Sequence, residues 1–126
     1  MNYRLKLLAI TPVFTFLSFF PFKCVPDKDA GVFMSFNAGE SWQQKVFVAK
    51  NQNIASLEVS TLKTDPRDHK VIYLGSQGSG LWKSADGGGV WYQLNDANKV
   101  FNRRANVYDV AIDAKDTANI YIGTYQ

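Results

Sequence analysis

The sequence predicts an all-β chain, and three observations predict it. An eight-residue pattern, Ser-x-Asp/Asn-x-Gly-x-x-Trp, occurs twice, with its serines at Ser35 and Ser84 and its tryptophans at Trp42 and Trp91, 49 residues apart. A second pattern, Asp65-Pro-Arg-Asp68 leading into Ile72-Tyr73-Leu-Gly75-Ser76, recurs 48 residues on as Asp113-Ala-Lys-Asp116 leading into Ile120-Tyr121-Ile-Gly123-Thr124. No stretch after the apolar N-terminus has the helical period. Repeats of roughly 40–50 residues, dense in β-formers and turn residues, are how propeller blades read in sequence. The predicted architecture is a partial β-propeller with one complete four-stranded antiparallel blade, flanked by two half-blades and preceded by an apolar export segment.

In chain order, Val32 to Ser35 and Trp42 to Val48 are expected to form a first hairpin around the first box. Asn51 to Asn53 reads as a polar connector. Leu57 to Thr64 is extended and stops at Asp65-Pro66, a turn starter. Val71 to Ser76 follows, then the tight turn Gly78-Ser79-Gly80 and the strand Leu81 to Ser84. The second box turns the chain into Trp91 to Leu94, completing a blade over Ser56 to Leu94. Asn95 to Asn106 is a long polar connector. Val107 to Asp113 and Ile120 to Tyr125 repeat the first two strands of that blade. The opening piece is thus an outer half-blade and the closing piece an inner one. Closed propellers often seal their ring by sharing one blade between such pieces. Two blades do not make a ring, which typically takes about four to eight, so the chain reads as a fragment that needs missing blades or self-association.

The boxes have a physical logic. A tight turn needs residues that tolerate positive φ, hence the glycines at 39 and 87 to 89. The Asn37 or Asp86 side chain accepts backbone N–H bonds from residues just ahead, and Ser35 or Ser84 adds to them. Trp42 and Trp91 then start the outgoing strands and are expected to bury their rings between blades. Ser35, Asn37, Gly39, Trp42, Ser84, Asp86, Gly88 and Trp91 therefore read as structural.

The box, with Gly80-Leu-Trp-Lys-Ser84 and Ile72-Tyr73-Leu-Gly75 before it, resembles the Asp-box (bacterial neuraminidase, BNR) repeat over about Gly31 to Tyr125. Sialidases, oligoxyloglucan-type glycosidases, sortilin-type receptors and propeller-type photosystem II assembly factors carry this repeat. Asn37 departs from the family's usual Asp but keeps an acceptor oxygen. The resemblance implies a propeller that is either a binding or assembly scaffold, without catalysis, or part of a glycoside hydrolase whose acids lie mostly in other blades. A truncated product with no activity of its own is the third reading.

The first 24 residues differ from the remainder, 25–126. Arg4 and Lys6 precede an uncharged apolar run from Leu7 to Phe22, the layout of an export signal. That run is shorter than the roughly 18–20 residues of a full membrane span, and Pro12 disfavours a straight helix in it. Cys24 falls where a lipoprotein would carry its acylated residue, but Pro21-Phe22-Lys23 lacks the small residues such a signal needs. Lipid anchoring, an uncleaved anchor and ordinary secretion all stay open, and membrane contact is expected only through this segment. With a single cysteine, redox compartment is not legible. Arg4, Lys6 and Lys23 account for the whole net charge of +3, because 11 basic residues then remain against 11 acidic ones. The repeat region is formally neutral, so nucleic-acid binding is disfavoured.

Candidate chemistry is sparse. Gly75-Ser-Gln-Gly78-Ser-Gly80 joins two strands, whereas a phosphate cradle needs a helix N-terminus. His69 has no metal-ligand partners nearby in sequence, and Asp27 and Asp29 lack the rest of a calcium loop. No cofactor or metal is expected. Glu58 and Asp109 fall on the predicted innermost strands, at non-equivalent repeat positions, as an acid pair of a glycosidase would. Their bland reading is polar residues wetted by the channel. Arg103 and Arg104, beside Lys99, offer a basic edge for an acidic partner, against a bland reading as solvated loop. Trp82, Tyr92 and Phe101 offer stacking faces for sugars, with core packing the favoured reading. The ligand expected is a protein or a carbohydrate.

Overall fold

A computed structural model describes residues 30–49 and 52–125. The N-terminal stretch expected to act in export, with Cys24, Asp27 and Asp29, lies outside them. The described residues are all-β, without a helix. Ten strands run in order: β1 Phe33–Met34, β2 Gln43–Gln44, β3 Phe47–Val48, β4 Gln52–Asn53, β5 Val59–Thr64, β6 Ile72–Ser76, β7 Leu81–Ser84, β8 Tyr92–Gln93, β9 Asn106–Ile112 and β10 Ile120–Tyr125. They form a four-stranded antiparallel sheet, β5-β6-β7-β8, and three two-stranded sheets, β1-β2, β3-β4 and β9-β10.

Strand β6 is central and buried along its whole length. Side chains alternate across a strand, so Ile72 and Leu74 enter a core with Val32, Ile54 and Trp91. Tyr73 points the other way, into a second core with Leu81, Val107 and Val110. The four-stranded sheet is therefore clamped between the first segment on one face and the last on the other. Gly75 permits the second contact. A Cβ there would stand 2.8 Å from Val107 Cγ1, from its carbonyl oxygen and from Thr61 Cγ2.

The repeats agree at the level of individual bonds. In β5-β6, Thr64 pairs with Ile72 and Thr61 with Gly75, and the register shifts between Val59 and Thr61. In β9-β10, Ile112 pairs with Ile120 and Asp109 with Gly123, and the shift falls between Gly123 and Thr124. Each partner lies 48 residues from its counterpart, bulge included. The turns repeat too. Asp65 N–H donates to Val71 O at 2.9 Å and Asp113 N–H to Asn119 O at 3.1 Å, while Arg67 and Lys115 N–H each donate to the carboxylate two residues back at 2.8 Å.

The first segment departs from the expected single hairpin. Lys45 N–H still donates to Val32 O at 2.7 Å, but Val46 O then accepts Ile54 N–H at 2.8 Å. The chain leaves β1 there and turns back on itself, so Gln52–Asn53 is a strand rather than a connector. The backbone groups of residues 46–48 had no partner left in β1, and pairing with the following residues satisfies them. Phe47 O also accepts Trp91 N–H at 2.9 Å, tying this segment to the second box. Asn106, expected in a connector, opens β9.

Candidate functional site

Both box turns carry the same four hydrogen bonds. Ser35 Oγ donates to Asn37 Oδ1 at 2.9 Å and accepts Asn37 and Gly39 N–H at 3.3 and 2.7 Å, while Ser41 N–H donates to Asn37 Oδ1 at 2.9 Å. Ser84 Oγ donates to Asp86 Oδ1 at 2.7 Å and accepts Asp86 and Gly88 N–H at 3.3 and 2.8 Å, while Val90 N–H donates to Asp86 Oδ1 at 2.9 Å. The Val90 N–H, followed by the Ser84 hydroxyl, holds the Asp86 carboxyl below its ordinary value. These groups are consumed within the turns. Their tryptophans differ, contrary to the expectation that both rings are buried. Trp91 is 1% exposed and donates its indole N–H to Lys45 O at 2.8 Å, whereas Trp42 is 62% exposed. The reason is local: Trp91 has the first segment to pack on, and among the described residues Trp42 has no sheet in the corresponding place.

A cavity of about 410 Å³ opens beside the β6-β7 turn, lined by Gly78, Ser79, Trp82, Gln93, Arg103 and Arg104. Gln93 is its brace. Its Nε2 donates to Ser79 O and to Arg103 O, both at 2.8 Å, and its Oε1 accepts from the Arg103 guanidinium at 2.8 Å. Trp82 is half-buried and donates its indole N–H to Ser79 O at 2.9 Å. The connector approaches closely because residue 80 is glycine: a Cβ there would meet Arg103 O at 2.5 Å. An indole, an amide and two guanidinium groups thus share one recess.

The candidate residues divide between places. Arg103 and Arg104 meet at this cavity. Glu58 does not line it and lies just ahead of β5 rather than on the strand as expected, with its backbone carbonyl accepting Gln77 N–H at 2.9 Å. Asp109 lies elsewhere, in a groove with Lys63, Thr64 and Pro66. Lys63 Nζ is 3.3 Å from Asp109 Oδ1, and the Thr61 hydroxyl donates to the same oxygen at 3.4 Å. The Val110 N–H, followed by Lys63, keeps the Asp109 carboxyl below its ordinary value. Among the described residues no hydrogen bond joins Glu58 to Asp109. Of the candidate stacking rings, Phe101 packs on the second core and Trp82 flanks the first, but Tyr92 is 44% exposed, contrary to its expected core role. No group of three or more metal-ligating side chains occurs among the described residues.

Gln93 was missed by motif reading, although the sequence carries a signal for it. Gln44 and Gln93 each stand two residues after a box tryptophan. Their side chains make equivalent bonds, Gln44 Nε2 to Ala30 O at 2.9 Å and Gln93 Nε2 to Ser79 O at 2.8 Å. The repeat is thus longer than the box by a Trp-x-Gln tail.

No protein-family model matches the chain, and no solved structure matches it significantly. Two curated proteins from Acetivibrio thermocellus, both named Xyloglucanase Xgh74A, are similar to part of it. Each is 33% identical over 66 residues, 50% of this chain and 8% of the relative. The chain therefore matches only a small part of the length of these enzymes.

Proposed function

We propose that the sheets are blades of a β-propeller that binds a β-glucan chain of the xyloglucan kind without cleaving it. The recess between the β6-β7 turn and the 103–104 connector carries this reading. Sugars are recognised by a flat aromatic face against their C–H edges and by polar side chains around it, and Trp82, Gln93, Arg103 and Arg104 supply both kinds of group. The partial likeness to xyloglucanases directs the choice of polysaccharide. The repeated register of β5-β6 and β9-β10 supports the propeller architecture. On this reading the N-terminal segment exports the protein and Cys24 or the apolar run provides any membrane tether.

Asp109 is disfavoured as the general acid of a glycosidase, although a lowered carboxyl still suits a base or a nucleophile. A general acid needs a carboxyl whose proton is held up toward neutral pH, and Asp109 is held the opposite way beside Lys63. The likeness to xyloglucanases favours a second reading, in which the chain is part of a glycoside hydrolase. One experiment separates the two: affinity electrophoresis in xyloglucan, run beside a reducing-end assay on the same polysaccharide. Retardation without reducing-end release supports a binding protein, and absence of retardation sinks it. Release abolished by Glu58→Gln or Asp109→Asn would establish the hydrolase.

A further inference from the structure

We infer that the sugar seated in the recess is a uronic acid, with its carboxylate on the guanidinium groups of Arg103 and Arg104. The inference rests on the proposed binding of a glycan at this site and adds the charge of the sugar. Its starting point is a comparison between the two repeat units. Asn53-Ile54-Ala55 in the first corresponds to Asn102-Arg103-Arg104 in the second, 49 residues on. Both stretches make the same turn: Asn53 Oδ1 accepts Ala55 N–H at 3.1 Å, and Asn102 Oδ1 accepts Arg104 N–H at 2.9 Å. Ile54 and Ala55 are buried, so this turn forms without a charged side chain. Arg103 and Arg104 are exposed. The turn needs no arginine, yet the second unit carries two of them where the recess opens.

The recess joins this charge to fixed positions. Its lining includes the two arginines and no acid. Arg103 O accepts Gln93 Nε2 at 2.8 Å and lies against Gly80, so the backbone bearing both guanidinium groups is pinned. One Arg103 nitrogen donates to Gln93 Oε1 at 2.8 Å. That bond orients the guanidinium and leaves most of its five N–H groups for a ligand. Asp96 shares the neighbouring groove with Arg103, but its oxygens accept the N–H groups of Asn98, Val100 and Phe101 at 2.6–2.9 Å. Among the described residues no acid forms an ion pair with either arginine; the Lys63–Asp109 pair lies in a different groove.

Two neighbouring guanidinium groups repel each other, and an anion between them relieves the repulsion. A carboxylate suits them better than a point charge, because its two oxygens match the fork of N–H donors. Trp82 supplies the contact to the sugar ring. Its indole is held by the bond to Ser79 O at 2.9 Å, and it lines the same recess, where an aromatic face accepts the C–H edge of a pyranose. A pyranose oxidised at C6 carries both features in one residue, a ring for Trp82 and a charge for the arginines. Holding these groups in place before the ligand arrives lowers the cost of binding it. A neutral sugar would leave the two cations without a counter-charge.

The test is isothermal titration calorimetry on the full-length chain. The probes are neutral xyloglucan, the same polymer with its C6 hydroxyls oxidised to carboxylates, the methyl ester of that oxidised polymer, and polygalacturonate. The oxidised xyloglucan should bind about tenfold or more tightly than the neutral and esterified forms, as a charge-assisted contact implies. Arg104→Ala gives the second unit the residue that the first carries at Ala55. It should weaken binding of the oxidised polymer by about the same factor, with an unchanged circular dichroism spectrum. Lys70→Gln, at an exposed cation beyond the opposite end of β6, should leave that binding as it is. Equal binding of the three xyloglucan forms, or a preference that Arg104→Ala does not touch, would overturn the inference and leave the proposed glucan binding standing. Binding of polygalacturonate through Arg104, with no binding of any xyloglucan form, would sink only the glucan reading and support the acid-sugar site.

Discussion

The indole N–H of Trp91 and the carbonyl of Lys45, 2.8 Å apart, join the second box to the segment that precedes the four-stranded sheet. The ring is enclosed by the core of Val32, Ile54, Ile72 and Leu74. Ring burial and this one bond hold the two pieces together, and they separate by mutation. Trp91→Ala should cost about 3–5 kcal/mol, as large buried aromatics do. Trp91→Phe keeps most of the apolar contact and loses the bond, and should cost about 2 kcal/mol. Urea midpoints of the two variants check the order, and an unchanged midpoint for Trp91→Ala would contradict the interface.

Ala38 occupies the place in the first box that Gly87 occupies in the second, with φ of 56° and 72° respectively. An L-residue is strained in the left-handed region, although glycine there loses more freedom on folding. Ala38→Gly should therefore stabilise modestly, by up to about 1 kcal/mol, and Gly87→Ala should destabilise by about the same amount. Thermal melts of the two variants should move in opposite directions.

Gly75→Ala should act differently, because the obstacle is space rather than φ. The added methyl would press on Val107 and Thr61 and force β9 away from the four-stranded sheet. Overpacking of this kind costs about 1–3 kcal/mol. Hydrogen exchange should show protection lost in β9 and β10 while the β6-β7 pairing keeps it; uniform loss would argue against two separable layers.

Acid should loosen the second box more than the first. The Asp86 carboxyl is held below 3.8 by the Val90 N–H and the Ser84 hydroxyl. A carboxyl lowered in the fold adds stability above its unfolded value, and that stability is lost as pH falls through the folded value. The loss therefore begins below about pH 4. Asn37 has no such proton to gain. Asp86→Asn keeps the acceptor oxygen and should flatten the stability profile below pH 4, while Asn37→Asp should steepen it. Stability curves from pH 2 to pH 7 decide; an Asp86→Asn profile identical to the parent's would be the contrary result.

Gln93→Leu should open the recess. It removes the donor shared by Ser79 O and Arg103 O, while Ser79 O keeps the Trp82 indole N–H, at a cost of about 0.5–1.5 kcal/mol. Arg104→Ala leaves that brace in place. If the recess binds glucan, both variants should lose retardation in xyloglucan gels, but only Gln93→Leu should lower the melting temperature.

Much of the architecture was legible because strand period, turn residues and repeat spacing point the same way. Leu81–Ser84 and Ile120–Tyr125 form strands at the expected bounds, since each is a β-rich run closed by turn chemistry. The β3-β4 pair was not legible. Gln52 and Asn53 are poor strand formers, and backbone groups left over by β1 recruit them. The exposure of Trp42 depends on what stands next to it in space, which a motif does not encode. The tie between Asp109 and Lys63 joins side chains on separate strands, and only the stacking of β5 on β9 brings it about. Gln93 could have been found by extending the repeat comparison two residues past each tryptophan.

The equal spacing of the turn bonds bears on how such a chain folds and changes. Each unit closes its own corners with its own side chains, so adding or removing a whole unit of 48 or 49 residues breaks none of them. Only the seams between units need re-forming. Folding can then start in the four-stranded sheet and spread to either side, each unit gaining most of its stability from the neighbour already in place.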